Sequence, residues 1–200
     1  MSASDQLDSE TRLLAAMAYG EASPRDLAEE MSALASVLVR QRDARGYPDM
    51  AAFVAREKTF SFVVSDGNVR YRALLEADQA RIAADAGMRA ALAAARNALA
   101  GGVDLSNGAW FWDGADIKTN YRRHPKVRRG IRFSDPSHNI YAIPETRRQV
   151  LAAAPAPRDK AGARPSGYDH VYVSTAALGG TVFWKLNPDF VAVNRSKEWL

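Results

Sequence analysis

The sequence predicts a mainly α fold of the α+β kind, helical for most of its length with a small β element late in the chain. Two patterns lead there. From Ser9 to about Ala100 the apolar residues recur at the three-to-four spacing of amphipathic helices. Close to the C-terminus, Val171 to Thr175 and Thr181 to Leu186 are short runs rich in β-branched and aromatic residues, joined through Gly179-Gly180. With 200 residues, 47% hydrophobic and 25% charged, positions 1–200 suit one domain with a real hydrophobic core.

The elements follow in order. Ser9 to Tyr19 reads as a helix that Gly20 stops, glycine being the usual residue just past a helix end. Ser23 then offers an N-cap, Pro24 the first helical position and Asp26 a charge suited to the first turn. The helix so opened runs to about Asp43, with an apolar stripe of Leu27, Met31, Leu34 and Leu38. A third helix covers Asp49 to Arg56. A long helical region, Tyr71 to Ala100, breaks near Gly87, and its alanines suit close packing. Gly101-Gly102 ends it. Ala152 to Gly167, rich in Pro, Ala and Gly, reads as an exposed loop.

Composition narrows the chemistry. Every apolar run is interrupted by charge too soon to cross a membrane as a helix, and the acidic, polar stretch Met1 to Thr11 is unlike a secretory signal. The absence of cysteine excludes disulfides, thiolate metal sites and a cysteine nucleophile. His124, His138 and His170 are scattered, without HxxxH or HExxH spacing, so neither a metal site nor a cofactor is expected. A formal charge of +4 suits a polyanionic partner without demanding one.

Two carboxylates stand out. Glu21, in AMAYGEAS, falls between two helices, where its backbone is held and its head can face a cleft. Burial against Tyr19 and Met17 would raise its pKa toward that of a general acid. On local pattern alone, capping the next helix is the commoner use of such a residue. For Glu30, a wheel with Leu27 at zero and about 100° per residue puts the stripe within about 40° of zero, Glu30 about 60° to one side and Glu29 about 160° away. Glu29 then points to solvent, and Glu30 borders the apolar face.

Ser106 to Gly114, SNGAWFWDG, joins a turn to aromatics. Trp110 and Trp112 lie two apart and share a face in an extended chain. Flat rings suit the apolar side of sugars, and Asn107 and Asp113 can hydrogen-bond hydroxyls, although a core role for at least one tryptophan is the commoner outcome. Asp113 is the reserve for a second carboxylate. Lys118 to Arg132 carries seven Lys or Arg and no acid, and reads as a solvated basic surface or a patch for an anionic polymer. Tyr121 alone is thin support for nucleic-acid stacking.

Tyr19-Gly20-Glu21-Ala22 after a helix resembles the corresponding segment of the spore-cortex-lytic cell-wall hydrolases, whose glutamate is the presumed acid. Asn107-Gly108-Ala109 followed by Trp110, Phe111, Trp112 and Asp113 is similar to their later aromatic segment. Glu21–x8–Glu30 is similar to the Glu–x8–Asp pair of phage-type lysozymes. The two motifs in this order also resemble the C-terminal lysozyme domain of type VI secretion effectors of the TseP type.

The resemblance implies a lysozyme-like helical fold and cleavage of the β-1,4 bond between N-acetylmuramic acid and N-acetylglucosamine. It casts Glu21 and Glu30 as catalytic, and Tyr19, Asn107, Trp110, Trp112 and Asp113 as substrate-binding. The chain would be the C-terminal part of a larger antibacterial effector, exported to the periplasm or wall of a target bacterium. Its partners would be peptidoglycan, an immunity protein and a secretion-system carrier, with no membrane or nucleic acid. Lytic transglycosylase chemistry, or a non-catalytic basic module binding wall or nucleic acid, are the alternatives.

Overall fold

A computed structural model of the chain describes residues 7–147 and 167–200. The loop expected at 152–167 lies, up to its last residue, outside the described residues. The fold is mainly α with one small four-stranded sheet. The chain divides into two compact units: Met1–Gly108 with Leu178–Thr181, and Ala109–Ala177 with Val182–Leu200.

The first unit is helical. Helix α1 (Ser9–Glu21) starts where Asp8 accepts a hydrogen bond from the Thr11 amide at 2.8 Å. Leu14 to Tyr19 are buried without interruption, as expected of a helix that is apolar on all sides and forms the centre of its unit. Gly20 does not stop α1, which continues through Glu21, with the Ala22 amide still bonded to the Ala18 carbonyl at 3.0 Å. The role of Gly20 is close approach. A Cβ there would stand 2.6 Å from Val63 Cγ2 and 3.0 Å from Tyr71 Cβ.

Helix α2 (Ala28–Ala44) begins later than the Ser23-Pro24 signal predicts. Asp26 has φ 56°, which interrupts any helix starting at Pro24, and the Ser23 hydroxyl donates to Glu30 at 2.6 Å instead of capping. Leu27 therefore precedes the helix, 37% exposed, while Met31, Leu34 and Leu38 are fully buried.

Helix α3 (Met50–Arg56) matches the helix expected over 49–56, with Asp49 as its cap rather than its first residue. The short α4 (Phe62–Ser65) was not anticipated. The helical region expected over 71–100 with a break near Gly87 is three helices, α5 (Val69–Glu76), α6 (Gln79–Ala84) and α7 (Ala86–Leu99), with the expected break at Asp85 and a further one at 77–78. Asn68, Asp78 and Asp85 each accept from the amide three residues on, and so start a new helix. Gly87 lies inside α7, against Tyr19 and Asp26. The buried alanines 91, 94, 95 and 98 let α7 pack on α1 and α2.

The second unit holds β1 (Phe111–Asp113), α8 (Asp116–Thr119), α9 (Pro125–Arg129), β2 (Ile131–Arg132), β3 (Tyr172–Leu178), β4 (Thr181–Leu186) and α10 (Pro188–Asn194). Strand order is β1-β4-β3-β2. β1 runs antiparallel to β4, pairing Trp112 with Phe183 and Asp113 with Val182, and β2 runs parallel to β3. Trp184, Ile131, Ile117 and Val182 centre its core. The strands expected at 171–175 and 181–186 are thus present, the first extending to Leu178. The four residues of their connecting tip, 178–181, group with the helical unit.

Candidate active site

In the helical unit, the residues around Glu21 are locked through the last carbonyls of α1. Arg70 Nε donates to the Tyr19 carbonyl at 2.9 Å, and Asn68 Nδ2 donates to the Gly20 carbonyl at 3.0 Å. Backbone groups that a helix end leaves unpaired are in this way satisfied by side chains. The same Arg70 holds the following loop through Asp26 Oδ1 at 2.6 Å and lies 3.9 Å over the Tyr19 ring. Tyr19 is only 6% exposed, and burial raises its phenol above the ordinary value. Its ring therefore serves the helix end rather than an open surface. Glu21, the last residue of α1, is partly exposed.

Glu30 is completely buried. Its Oε2 accepts from Ser23 Oγ at 2.6 Å, and its Oε1 from the Gly180 amide at 2.9 Å and Thr181 Oγ1 at 2.8 Å. Gly179, with φ 61°, packs so tightly on this carboxylate that a Cβ would overlap it. Glu29, one residue away, is exposed. The wheel separates the two correctly but sets Glu30 at a border, because it cannot include a hairpin tip arriving from 150 residues further on.

Asn107 also belongs to the helical unit, in a turn where it and Gly108 have φ 51° and 76°. Asp104 builds that turn. It accepts from Ser106 Oγ at 2.6 Å and from the amides of Ser106 and Gly108 at 2.9 Å, and it pairs with Arg40. Burial would raise the Asp104 pKa, but the Ser106 and Gly108 hydrogen bonds and Arg40 outweigh it, and the net shift is downward.

Trp110, Trp112 and Asp113 belong to the second unit. Both tryptophans are half-buried. Trp110 stacks at 5.8 Å on Trp199, and its Nε1 donates to Glu198 at 3.2 Å. Alternation along β1 sends Phe111 and Asp113 to the other face, where Phe111 meets the Tyr172 ring edge-on.

There Asp113, 8% exposed, heads a cluster that sequence reasoning missed. Lys126 Nζ donates to Asp113 Oδ1 at 2.7 Å, and His124 Nε2 lies 3.3 Å from both Asp113 Oδ1 and Asp116 Oδ2. Burial would lower the His124 pKa, but hydrogen bonds to Asp113 and Asp116 prevail and raise it to about 9. Asp116 is lowered, chiefly by its hydrogen bond from His124. The traceable sequence signal is D-x-x-D across a Gly-Ala turn, followed by a histidine just before the proline that opens α9.

The basic run is not uniform. Arg122, Arg123 and Arg128 are exposed, whereas Lys126 serves Asp113 and Arg129 donates to the Tyr172 hydroxyl at 2.8 Å. Comparison with known protein families, with curated proteins and with solved structures finds no match to this chain.

Proposed function

We propose that the chain is a peptidoglycan hydrolase that cleaves the β-1,4 bond between N-acetylmuramic acid and N-acetylglucosamine, with Glu21 protonating the leaving oxygen. The observation that carries this reading is the fixing of a partly exposed glutamate at the end of a buried helix by Arg70 and Asn68. A general acid must be held within hydrogen-bond reach of the atom it protonates, and a locked helix end supplies that rigidity. Support comes as well from the order of the YGEA and NGAWFWDG segments and from the half-buried tryptophans of the second. On this reading the protein is an antibacterial effector acting in the wall of a target cell, and its producer carries an immunity protein.

The burial of Glu30 favours a second reading, lytic transglycosylase chemistry. A carboxylate with three internal donors and no exposed surface is poorly placed to activate water. In our proposal Glu30 secures the hairpin tip. A transglycosylase works with one acid/base residue and leaves anhydro ends.

Digestion of purified sacculi followed by mass spectrometry tests both. Reducing-end muropeptides establish the hydrolase, and anhydro-muropeptides the transglycosylase. Glu21→Gln should lower either yield by about 100-fold or more, the usual scale of acid catalysis. Binding of sacculi without any soluble product from the wild-type chain would overturn the enzymatic reading in favour of a wall-binding module.

A further inference from the structure

We propose that Asp113, Asp116 and His124 form a binding site for one divalent transition-metal ion, of which Zn2+ fits the donor set best. The inference concerns the second unit alone and stands whether or not the chain cuts peptidoglycan.

The geometry comes first. One donor atom from each of the three residues falls within 4.8 Å of the others, and His124 Nε2 is 3.3 Å from each carboxylate oxygen. Two ligands held about 2.0–2.2 Å from zinc at a tetrahedral angle are about 3.4 Å apart. The nitrogen is thus already at ligand spacing from both oxygens. The remaining oxygen–oxygen distance can close by rotation of Asp116, whose side chain is 65% exposed. That exposure leaves room for water as a further ligand.

One buried atom, Asp113 Oδ2, points to a ligand independently of the spacing. Asp113 Oδ2 and His124 Nδ1 have no hydrogen-bond partner among the described residues, although Asp113 is 8% and His124 5% exposed. A carboxylate oxygen left buried and unpaired is costly. Oδ2 shares its carboxyl group with the oxygen that faces His124, so an ion between the residues can take both. Ligation through Nε2 also lets the ring be neutral, which makes the unpaired Nδ1–H a neutral donor rather than a charged one, the cheaper of the two to strand.

The choice of ion follows from the donors. An imidazole with two carboxylates suits zinc and its first-row neighbours, whereas Mg2+ and Ca2+ favour all-oxygen sets. Lys126 is the resident competitor, with its ammonium on Asp113 Oδ1. It keeps other partners if displaced, since it also donates to the Trp112 carbonyl at 3.3 Å and lies over the Phe111 and Tyr172 rings.

The test is calorimetric titration of the chelator-stripped protein with ZnCl2, alongside MgCl2. One saturable Zn2+ site per chain and no Mg2+ site are expected. Asp116→Asn, a change at an exposed position, should weaken Zn2+ at least ten-fold. Asp169→Asn should bind like wild type, which separates this site from the Asp169–His170 pair, 2.6 Å apart. Co2+ in place of Zn2+ should give visible d–d absorption in the wild type and lose it in Asp116→Asn. Absence of stoichiometric Zn2+ binding, or an Asp116→Asn affinity within two-fold of wild type, would overturn the proposal.

Discussion

Asn68 and Gly20, 48 residues apart, are joined by a 3.0 Å hydrogen bond from the Asn68 amide to the Gly20 carbonyl, one residue before Glu21. The other end of the same side chain accepts from the Tyr71 amide at 2.9 Å and starts α5. One asparagine therefore finishes one helix and opens another. Gly20 eases that approach, since a Cβ there would stand 3.1 Å from Asn68 Oδ1 and 3.0 Å from Tyr71 Cβ, and would overlap Val63 Cγ2 at 2.6 Å.

Asn68→Ala removes both bonds, and we expect a loss of about 1–2 kcal/mol, read by denaturant unfolding. Asn68→Asp is the sharper variant. A carboxylate keeps the cap on Tyr71 but cannot donate to Gly20. If wall lysis needs Glu21 held rigidly, Asn68→Asp loses activity out of proportion to its stability, while unchanged lysis would show that this bond does not position Glu21.

Glu30→Ala strands three donors in the interior and opens a cavity, whereas Glu29→Ala changes an exposed side chain. The first should cost about 2–4 kcal/mol and the second no more than about 0.5 kcal/mol. Thermal unfolding of the two neighbours checks this. Equal midpoints would mean that the hairpin tip does not depend on the Glu30 carboxylate.

Asp104 gives a pH dependence with a definite sign. Its folded pKa lies below the ordinary 3.8, so ionised Asp104 contributes stability above that value, which is lost as pH falls through the folded pKa. The melting-temperature gap between wild type and Asp104→Asn should be widest near neutrality and narrow below about pH 4. A gap constant from pH 7 to pH 3 would contradict the assignment.

The basic run should divide by position. Replacing exposed Arg122, Arg123 and Arg128 with glutamine should weaken binding to intact sacculi mainly at low salt, since charges beyond about 8 Å are screened at physiological ionic strength. Arg129→Gln removes the donor to the Tyr172 hydroxyl and should instead lower the melting temperature. Co-sedimentation with sacculi across a salt series, with melting curves, distinguishes the two effects.

What the sequence revealed follows the range of the interactions concerned. Local signals read correctly: the two strands joined through Gly179-Gly180, the helix over 50–56, and three of the four stripe residues, Met31, Leu34 and Leu38. The errors came where a residue with suitable local chemistry is used at a distance. Ser23 can cap a helix, but Glu30 takes its hydroxyl. Gly20 resembles a helix stop and is a point of close packing, and the break expected near Gly87 falls at Asp85 while Gly87 itself packs against Tyr19 and Asp26. Asp78 looks like a polar position within a longer helix, since a capping residue and a solvent-facing one have the same composition. The grouping of Asp113, Asp116 and His124 depends on two four- to five-residue helices whose direction no periodicity reveals.

The partners of Glu30 set an order on synthesis. A chain synthesised only as far as residue 179 holds Glu30 without its Gly180 and Thr181 partners, because the hairpin tip is made 150 residues after the glutamate. Until then the carboxylate must stay hydrated or find a substitute, and the start of α2 cannot close over it. Closing so long a loop is entropically slow but only modestly costlier than closing one half as long. The helical unit therefore matures only once residues 180 and 181 have been made. A fragment ending at Gly108, though it contains the seven helices found among the described residues of that unit, lacks the residues that complete its interior.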